Sequence, residues 1–341
     1  MKHIYTLTLL AGALSLAACT NDDAPQVEAE TPAQFLTNLE QRVQTRMADD
    51  QWAAADAIGI FTLNDEQEGV LLPDGTAAPS NLRMNMKYTR TTGNDAWESA
   101  DPFYFKNPEA AEVQFLAYYP WTADAQVTDM KLENGQVSGT IAVDASDQSQ
   151  QPAFDYLYAD KESDQPDATA PHGSKKQPEV NFHFHHSMTK VIIKLQPDPE
   201  GSTTYDDVQK LTPTLKSFIS QGTFNLADGV VTPAAFDVEG AVKDLVLSNK
   251  TEEAGTSVSF SAILPPQTTQ GDSPQQKDPE VSLSDGTDNY RSAKILSGKT
   301  LEAGKCYTVT ITVKKMALVV ETTDITDWVP EYGDSSDAIL Q

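Results

Sequence analysis

The side chains best suited to chemistry in this chain are its five histidines, its two cysteines and its many carboxylates. His3 sits near the N-terminus and His172 in a charged stretch, while His183, His185 and His186 crowd one segment. Residues two apart on a strand project to the same face, so His183 and His185 have the spacing to chelate a divalent ion. A catalytic zinc takes a third protein ligand, and His186 would point to the other face. Alternation with Val180, Phe182 and Phe184 reads this group as the polar side of a strand, and no metal is expected. The chain holds no His-Glu-x-x-His, no Cys-x-x-Cys and no Gly-x-Ser-x-Gly. Ser297-Gly298-Lys299-Thr300 matches the end of a phosphate loop, but Ala293 stands where the first glycine belongs. Asn64-Asp65-Glu66-Gln67-Glu68-Gly69 lacks the spaced aspartates and closing glutamate of a calcium loop. The acidic pairs Asp22-Asp23, Asp49-Asp50 and Asp206-Asp207 read as solvated. Tyr104, Tyr118, Tyr119 and Trp121 could stack on a sugar, yet their setting among apolar residues favours core packing. These readings point to no enzyme and no cofactor.

Cys19 has a different chemistry. Lys2 and His3 open the chain, an apolar run fills residues 4–16, and Ala17-Ala18 leads directly to Cys19. A basic start, a short apolar run and small residues at the cut describe a secretory signal, here residues 1–18. The run is too short to span a bilayer, which takes about 20 apolar residues. A cysteine at the cut resembles a bacterial lipobox. That resemblance implies acylation of the Cys19 thiol, and contact with the outer membrane through the lipid anchor alone. Cys306 then has no disulfide partner in its own chain, so the fold must rest on burial.

The net charge is −26. Nucleic acid is excluded as a partner, because phosphate binding requires basic patches. The surface is suited to solubility.

The elements that would position these residues are strands. Residues 19–50 are polar and carry Pro25 and Pro32, a flexible leader in which Phe35, Leu36 and Leu39 form a helical turn or a strand. From Trp52 the text becomes apolar and short-range. Asn85-Met86-Lys87-Tyr88-Thr89 alternates, residues 113–120 are aromatic and end on Pro120, and residues 137–143 alternate through Gly139 and Ile141. Tyr307, Val309, Ile311 and Val313 alternate with Thr308, Thr310 and Thr312, the most regular strand pattern in the chain. No long segment keeps a helical period, so the class is all-β. Residues 160–178 are charged, Pro-containing and free of large apolar groups, which predicts a boundary between an N-terminal β-sandwich over 51–165 and a C-terminal one over 179–341, the competing reading being a long surface loop inside one domain.

In order along the chain stand Thr45-Arg46-Met47, Trp52, Asp56-Ala57-Ile58-Gly59-Ile60, Phe115-Leu116-Ala117-Tyr118-Tyr119-Pro120 and Asp155-Tyr156-Leu157-Tyr158-Ala159. Then come Val180-x-Phe182-x-Phe184-x-His186-x-Met188-Thr189-Lys190, Leu301-x-x-Gly304-Lys305-x-Tyr307 and Ile325-Thr326-Asp327-Trp328. With the lipobox, this series resembles the fimbrillin family, the Mfa- and FimA-like pilus lipoproteins of anaerobic Bacteroidales-type bacteria.

The resemblance implies two tandem transthyretin-like, Greek-key β-sandwich domains after a lipoprotein signal peptide. It implies a fimbrial subunit, exported to the cell outer membrane and found in the fimbrium after processing. An arginine-specific protease would cut the leader after Arg46, or failing that Arg42, and release its first strand. A strand from another fimbrial subunit would fill the gap, making a head-to-tail polymer that supports adhesion to a host or bacterial surface ligand. Leu318, Val320, Ile325 and Trp328 are the candidate donor-strand residues, or else they belong to the last strands of the second sandwich in a tip subunit that only accepts. An alternative from another class is a surface glycan-binding lipoprotein of a nutrient-uptake system.

Overall fold

A computed structural model describes residues 31–39, 52–65, 75–76, 80, 82–91, 96–106, 111–269, 277–287, 292–315 and 317–328. His3, Cys19, Arg42, Arg46 and the signal segment lie outside the described residues. The regular structure of the described chain is almost all strand, in sheets packed face to face, and among the described residues no helix is long and apolar enough to cross a membrane.

The largest sheet is laid out as β2 (Gln34–Leu39), β12 (Glu179–His186), β10 (Leu157–Ala159), β7 (Val113–Tyr119), β3 (Ala57–Thr62), β4 (Met86–Arg90) and β5 (Trp97–Glu98). β11 (His172–Gly173) joins it beside β7. Its inward side chains make one core, with Phe35, Ile60, Tyr88, Phe115 and Phe182 all buried. The first and last strands of the path both supply that core, through Phe35 and Trp97, so the sheet curls around it. β1 (Thr31–Pro32) pairs with β6 (Tyr104–Phe105) just outside the rim.

A four-stranded sheet covers the outer face of the curl. It runs β16 (Val231–Pro233), β15 (Gln221–Asn225), β9 (Gln136–Asp144), β8 (Val127–Glu133). β8 and β9 meet at Asn134-Gly135, with φ of 53° and 75°. Both central residues of a type I′ hairpin need positive φ, which asparagine and glycine tolerate best. β9 alternates exposed and buried along its length, as its sequence period requires. Phe61, Tyr118 and Tyr156 from the first half pack there with Phe224 from the second, the Tyr156 and Phe224 rings stacked 4.7 Å apart. Gly59 on β3 has no alternative residue, since a Cβ there would lie 2.2 Å from the Tyr118 ring.

The third core lies between two further sheets. One runs β18 (Lys250–Glu253), β19 (Ser257–Leu264), β13 (Thr189–Pro197), β24 (Lys305–Lys314), β25 (Ala317–Asp327), and the other β17 (Leu245–Val246), β14 (Thr212–Lys216), β21 (Glu280–Ser284), β22 (Ala293–Lys294). β20 (Gln267–Thr268) and β23 (Thr300–Leu301) form a short ladder at its end. α1 (Tyr205–Val208) is a single turn closed by a Thr204–Asp207 capping box. Tyr307, Val309, Ile311 and Val313 are buried, as their alternation predicts.

Two features differ from the sequence reading. The strand beginning at Glu179, placed there at the start of the second domain, hydrogen-bonds between β10 and β2 in the first sheet. The chain changes sheets only at Ser187-Met188, where β12 gives way to β13. In addition, β9 from the first half pairs with β15 from the second, in register Ile141 to Phe224. Hydrogen bonding therefore crosses the polar stretch 160–178, from β12 to β10 and β2 and from β15 to β9. Charge and proline content report solvent exposure, and they carry no information on which sheet the next strand joins.

Candidate functional site

The leader residue pattern Gln34-Phe35-Leu36-Thr37 alternates polar and apolar in an ambiguous way, and the structure resolves it as β2. Phe35 points in and is buried, Leu36 points out and is 44% exposed, and Thr37 turns in again. Along its length β2 pairs, among the described residues, with β12 alone. The ladder is parallel, with Phe35 opposite Val180 and Thr37 opposite Phe182. Its entry is tied down by Gln34 N–H donating to Pro178 O at 2.8 Å and Ala33 N–H to Phe103 O at 3.0 Å.

Phe35 fills an aromatic socket. Its ring lies 4.7 Å from Tyr88 and 5.4 Å from Phe115, both edge-on, and 5.6 Å from Phe182. Edge-to-face pairs of this kind add about 0.5–1.5 kcal/mol beyond area burial. Tyr88 is itself fixed, its hydroxyl accepting from Phe103 N–H at 2.7 Å, and burial raises its pKa. Two residues on, Thr37 Oγ1 accepts from the Trp97 indole at 3.1 Å. Trp52, at the start of the next described stretch, packs edge-on to Trp97, Tyr119 and Phe184 at 5.1, 5.2 and 5.3 Å. The result is a groove along the β12 edge with an aromatic floor, filled by a rim strand.

The second element of interest is β25, at the opposite edge of the molecule's second half. It pairs antiparallel with β24 from Lys305–Asp327 to Lys314–Ala317, with a bulge between Thr310 and Ile311. Leu318 packs against the third core, while Val320 and Ile325 are 37% and 53% exposed. Trp328 follows directly and is buried against its own chain. Its ring lies flat on His186, centroids 3.7 Å apart and planes 9° apart, with Lys190 Nζ 5.4 Å from its centre. Its backbone N–H donates to Gly304 O at 2.7 Å, and Lys305 pairs with Asp327 beside it. His186 Nδ1 lies 3.0 Å from Asp155 Oδ1, so the stack is held from below.

The other residues with chemical potential are placed less specifically. His183 and His185 are half-buried on the outward side of β12, lining a cleft of about 480 Å³ with Asp160, Lys161, Lys305 and Asp327. Among the described residues no group of three histidine, cysteine or carboxylate side chains is placed to hold a metal. Tyr118 and Tyr119 are buried and Lys87 lies over Trp121 at 4.4 Å, so the four aromatics do not form one exposed platform. The socket residues Tyr88, Phe115 and Phe182 and the Thr37–Trp97 bond escaped sequence reasoning. The only signal was aromatic alternation on three separate strands.

The fimbrillin-like family matches residues 45–328. The chain belongs to the fimbrillin-like family. The match begins one residue before Arg46 and ends at Trp328. A candidate fimbrium subunit of Bacteroides uniformis, Fim1C, is 26% identical over 336 residues, covering 98% of this fimbrillin-like chain and 97% of the relative. Among solved structures, a cell adhesion protein of Bacteroides uniformis superposes with a TM-score of 0.60 at 23% identity, covering 88% of this chain and 99% of that one. A second, from Bacteroides ovatus, gives 0.60 at 22% identity over 89% and 100% of the two chains. These two likenesses concern the fold.

Proposed function

We propose that this fimbrillin-like chain is a subunit of a surface fimbrium, made as a lipoprotein anchored through Cys19 and switched to assembly by loss of its leader strand. The observation that carries the reading is the seating of β2. It is a rim strand paired, among the described residues, with β12 alone, it inserts Phe35 into the core, and it precedes Arg42 and Arg46 in the chain. An arginine-specific protease cutting after Arg46 would separate β2 from the body that resumes at Trp52. The β12 edge would then present unpaired backbone groups above an aromatic socket, the condition under which a sheet accepts a strand from another chain.

The donor in this reading is β25, with Leu318, Val320 and Ile325 as the apolar side chains it offers and Trp328 as the anchor that holds it until transfer. A donor at one edge and an acceptor at another make a heterologous contact, which propagates as a fibre. A fimbrium places the processed subunit at the cell surface, with adhesion as its use, and the relative from Bacteroides uniformis bears a name of that kind.

The test is to incubate the purified precursor with an arginine-specific protease, sequence the new N-terminus and run the product on a gel without boiling. A start at Met47 with a ladder of multimers supports the proposal. An intact leader, or a cut product that stays monomeric with every partner subunit supplied, overturns it.

A further inference from the structure

The groove beneath β2 has a definite chemistry, and it does not match the strand this same chain would donate. The inference rests on the strand-exchange reading above. The site opposite Val180 is an aromatic socket bounded by Tyr88, Phe115 and Phe182, sized to the Phe35 ring. The site two residues on, opposite Phe182, holds a side-chain oxygen that accepts from Trp97 Nε1. The six residues of β2 are uncharged, in a chain whose net charge is −26.

The segment β25 reads Ala-Leu-Val-Val-Glu-Thr-Thr-Asp-Ile-Thr-Asp. It has no ring at all. Its best register sets Val320 in the socket with Thr322 under Trp97, and a valine there leaves the socket partly empty. It also carries Glu321, Asp324 and Asp327 with no basic residue, and would bring them against an already acidic body. Trp328 is followed two residues on by Pro330, which offers no oxygen on its side chain and no backbone N–H.

We infer that the β12 groove selects a strand from a different subunit, one reading aromatic, any residue, serine or threonine, free of acidic side chains and running parallel to β12. The chain is thereby a member of a mixed fibre. Its acceptor and donor ends belong to different neighbours, and a second copy of itself is a poor occupant.

The experiment uses the full chain cut with an arginine-specific protease in the presence of labelled synthetic peptides, with retention read by size exclusion and native mass spectrometry. The peptides are residues 31–39, the same peptide with Phe35→Ala, the same with Thr37→Val, and residues 317–327. Retention of the first is expected, with weakening of about a hundredfold for Phe35→Ala and roughly tenfold for Thr37→Val. No retention of residues 317–327 is expected. Binding of 317–327 as tight as that of 31–39, or indifference to Phe35→Ala, overturns the selectivity. A second arm needs no protease. The full chain carrying Phe35→Ala holds its own strand weakly, and the 31–39 peptide should displace that strand while 317–327 should not. Failure of cutting therefore counts against processing alone, and equal displacement by both peptides in this second arm counts against selectivity alone.

Discussion

The hydroxyl of Thr37 accepts a hydrogen bond from the indole of Trp97 at 3.1 Å, across a sequence separation of sixty residues. Thr37 belongs to one rim of the curled sheet and Trp97 to the other. A bond between side chains thus bridges two edge strands, β2 and β5, that share no ladder among the described residues. A double-mutant cycle with Thr37→Val and Trp97→Phe should return a coupling of about 0.5–1.5 kcal/mol by denaturant unfolding. A coupling of zero would mean that the rims are held by the Phe35 side alone.

Phe35 is the larger contributor. Truncation to alanine removes a buried ring from between Tyr88, Phe115 and Phe182, and should cost about 3–5 kcal/mol of stability. Phe35→Leu retains most of the volume and should cost less. Chemical denaturation of the full chain checks both, and equal losses for the two variants would show that the ring geometry is immaterial.

Trp328 should govern the far end of β25 and not the near one. Trp328→Ala empties the site between His186 and Lys190. Amide exchange at Ile325 and Thr326, which pair with Tyr307 and Cys306, should quicken severalfold or more. Residues near Leu318, which packs against the third core, should keep their protection. Uniform acceleration along the strand would contradict a local clasp.

The turn that follows β13 carries a pH dependence of known sign. Asp198 accepts from Ser202 Oγ at 2.5 Å and from Glu200 N–H at 3.1 Å, with Lys314 Nζ 3.7 Å away. The Ser202 hydroxyl first, then the Glu200 amide and Lys314, hold its carboxyl below the ordinary value of 3.8. A carboxyl lowered on folding adds stability above its unfolded pKa and loses it as pH falls through the folded one. Asp198→Asn should therefore lower the melting temperature at pH 7, and the difference from wild type should shrink steadily below pH 4. A difference that persists unchanged into acid would assign the effect to packing.

The legibility of this fold in its sequence was uneven, for physical reasons. β9 and β24 could be read directly, because each has one buried and one wetter face and the period of two survives in Val137, Ile141, Val143 and in Tyr307, Val309, Ile311. The leader strand was ambiguous between a turn and a strand, since Phe35, Leu36 and Leu39 satisfy both spacings. Its partner was not legible at all. A parallel pairing of Phe35 with Val180 is a contact across the whole first half, and neither residue carries a mark of the other. The same holds for Ile141 with Phe224, which ties the two halves through one sheet. The Trp328 stack on His186 was likewise hidden, because an indole reads the same whether it faces solvent, a partner or its own chain.

The parallel alignment of β2 with β12 also bears on mechanics. Six consecutive residues pair side by side, and the evenly spaced, slanted bonds of a parallel ladder lie across the strand direction. Tension applied along the axis of whatever strand occupies that berth strains the bonds together in shear. A peeling force applied at one end would open them singly. A filament joined end to end through such berths, as proposed above, would be tugged along its length and would meet the stiffer of the two responses at every joint.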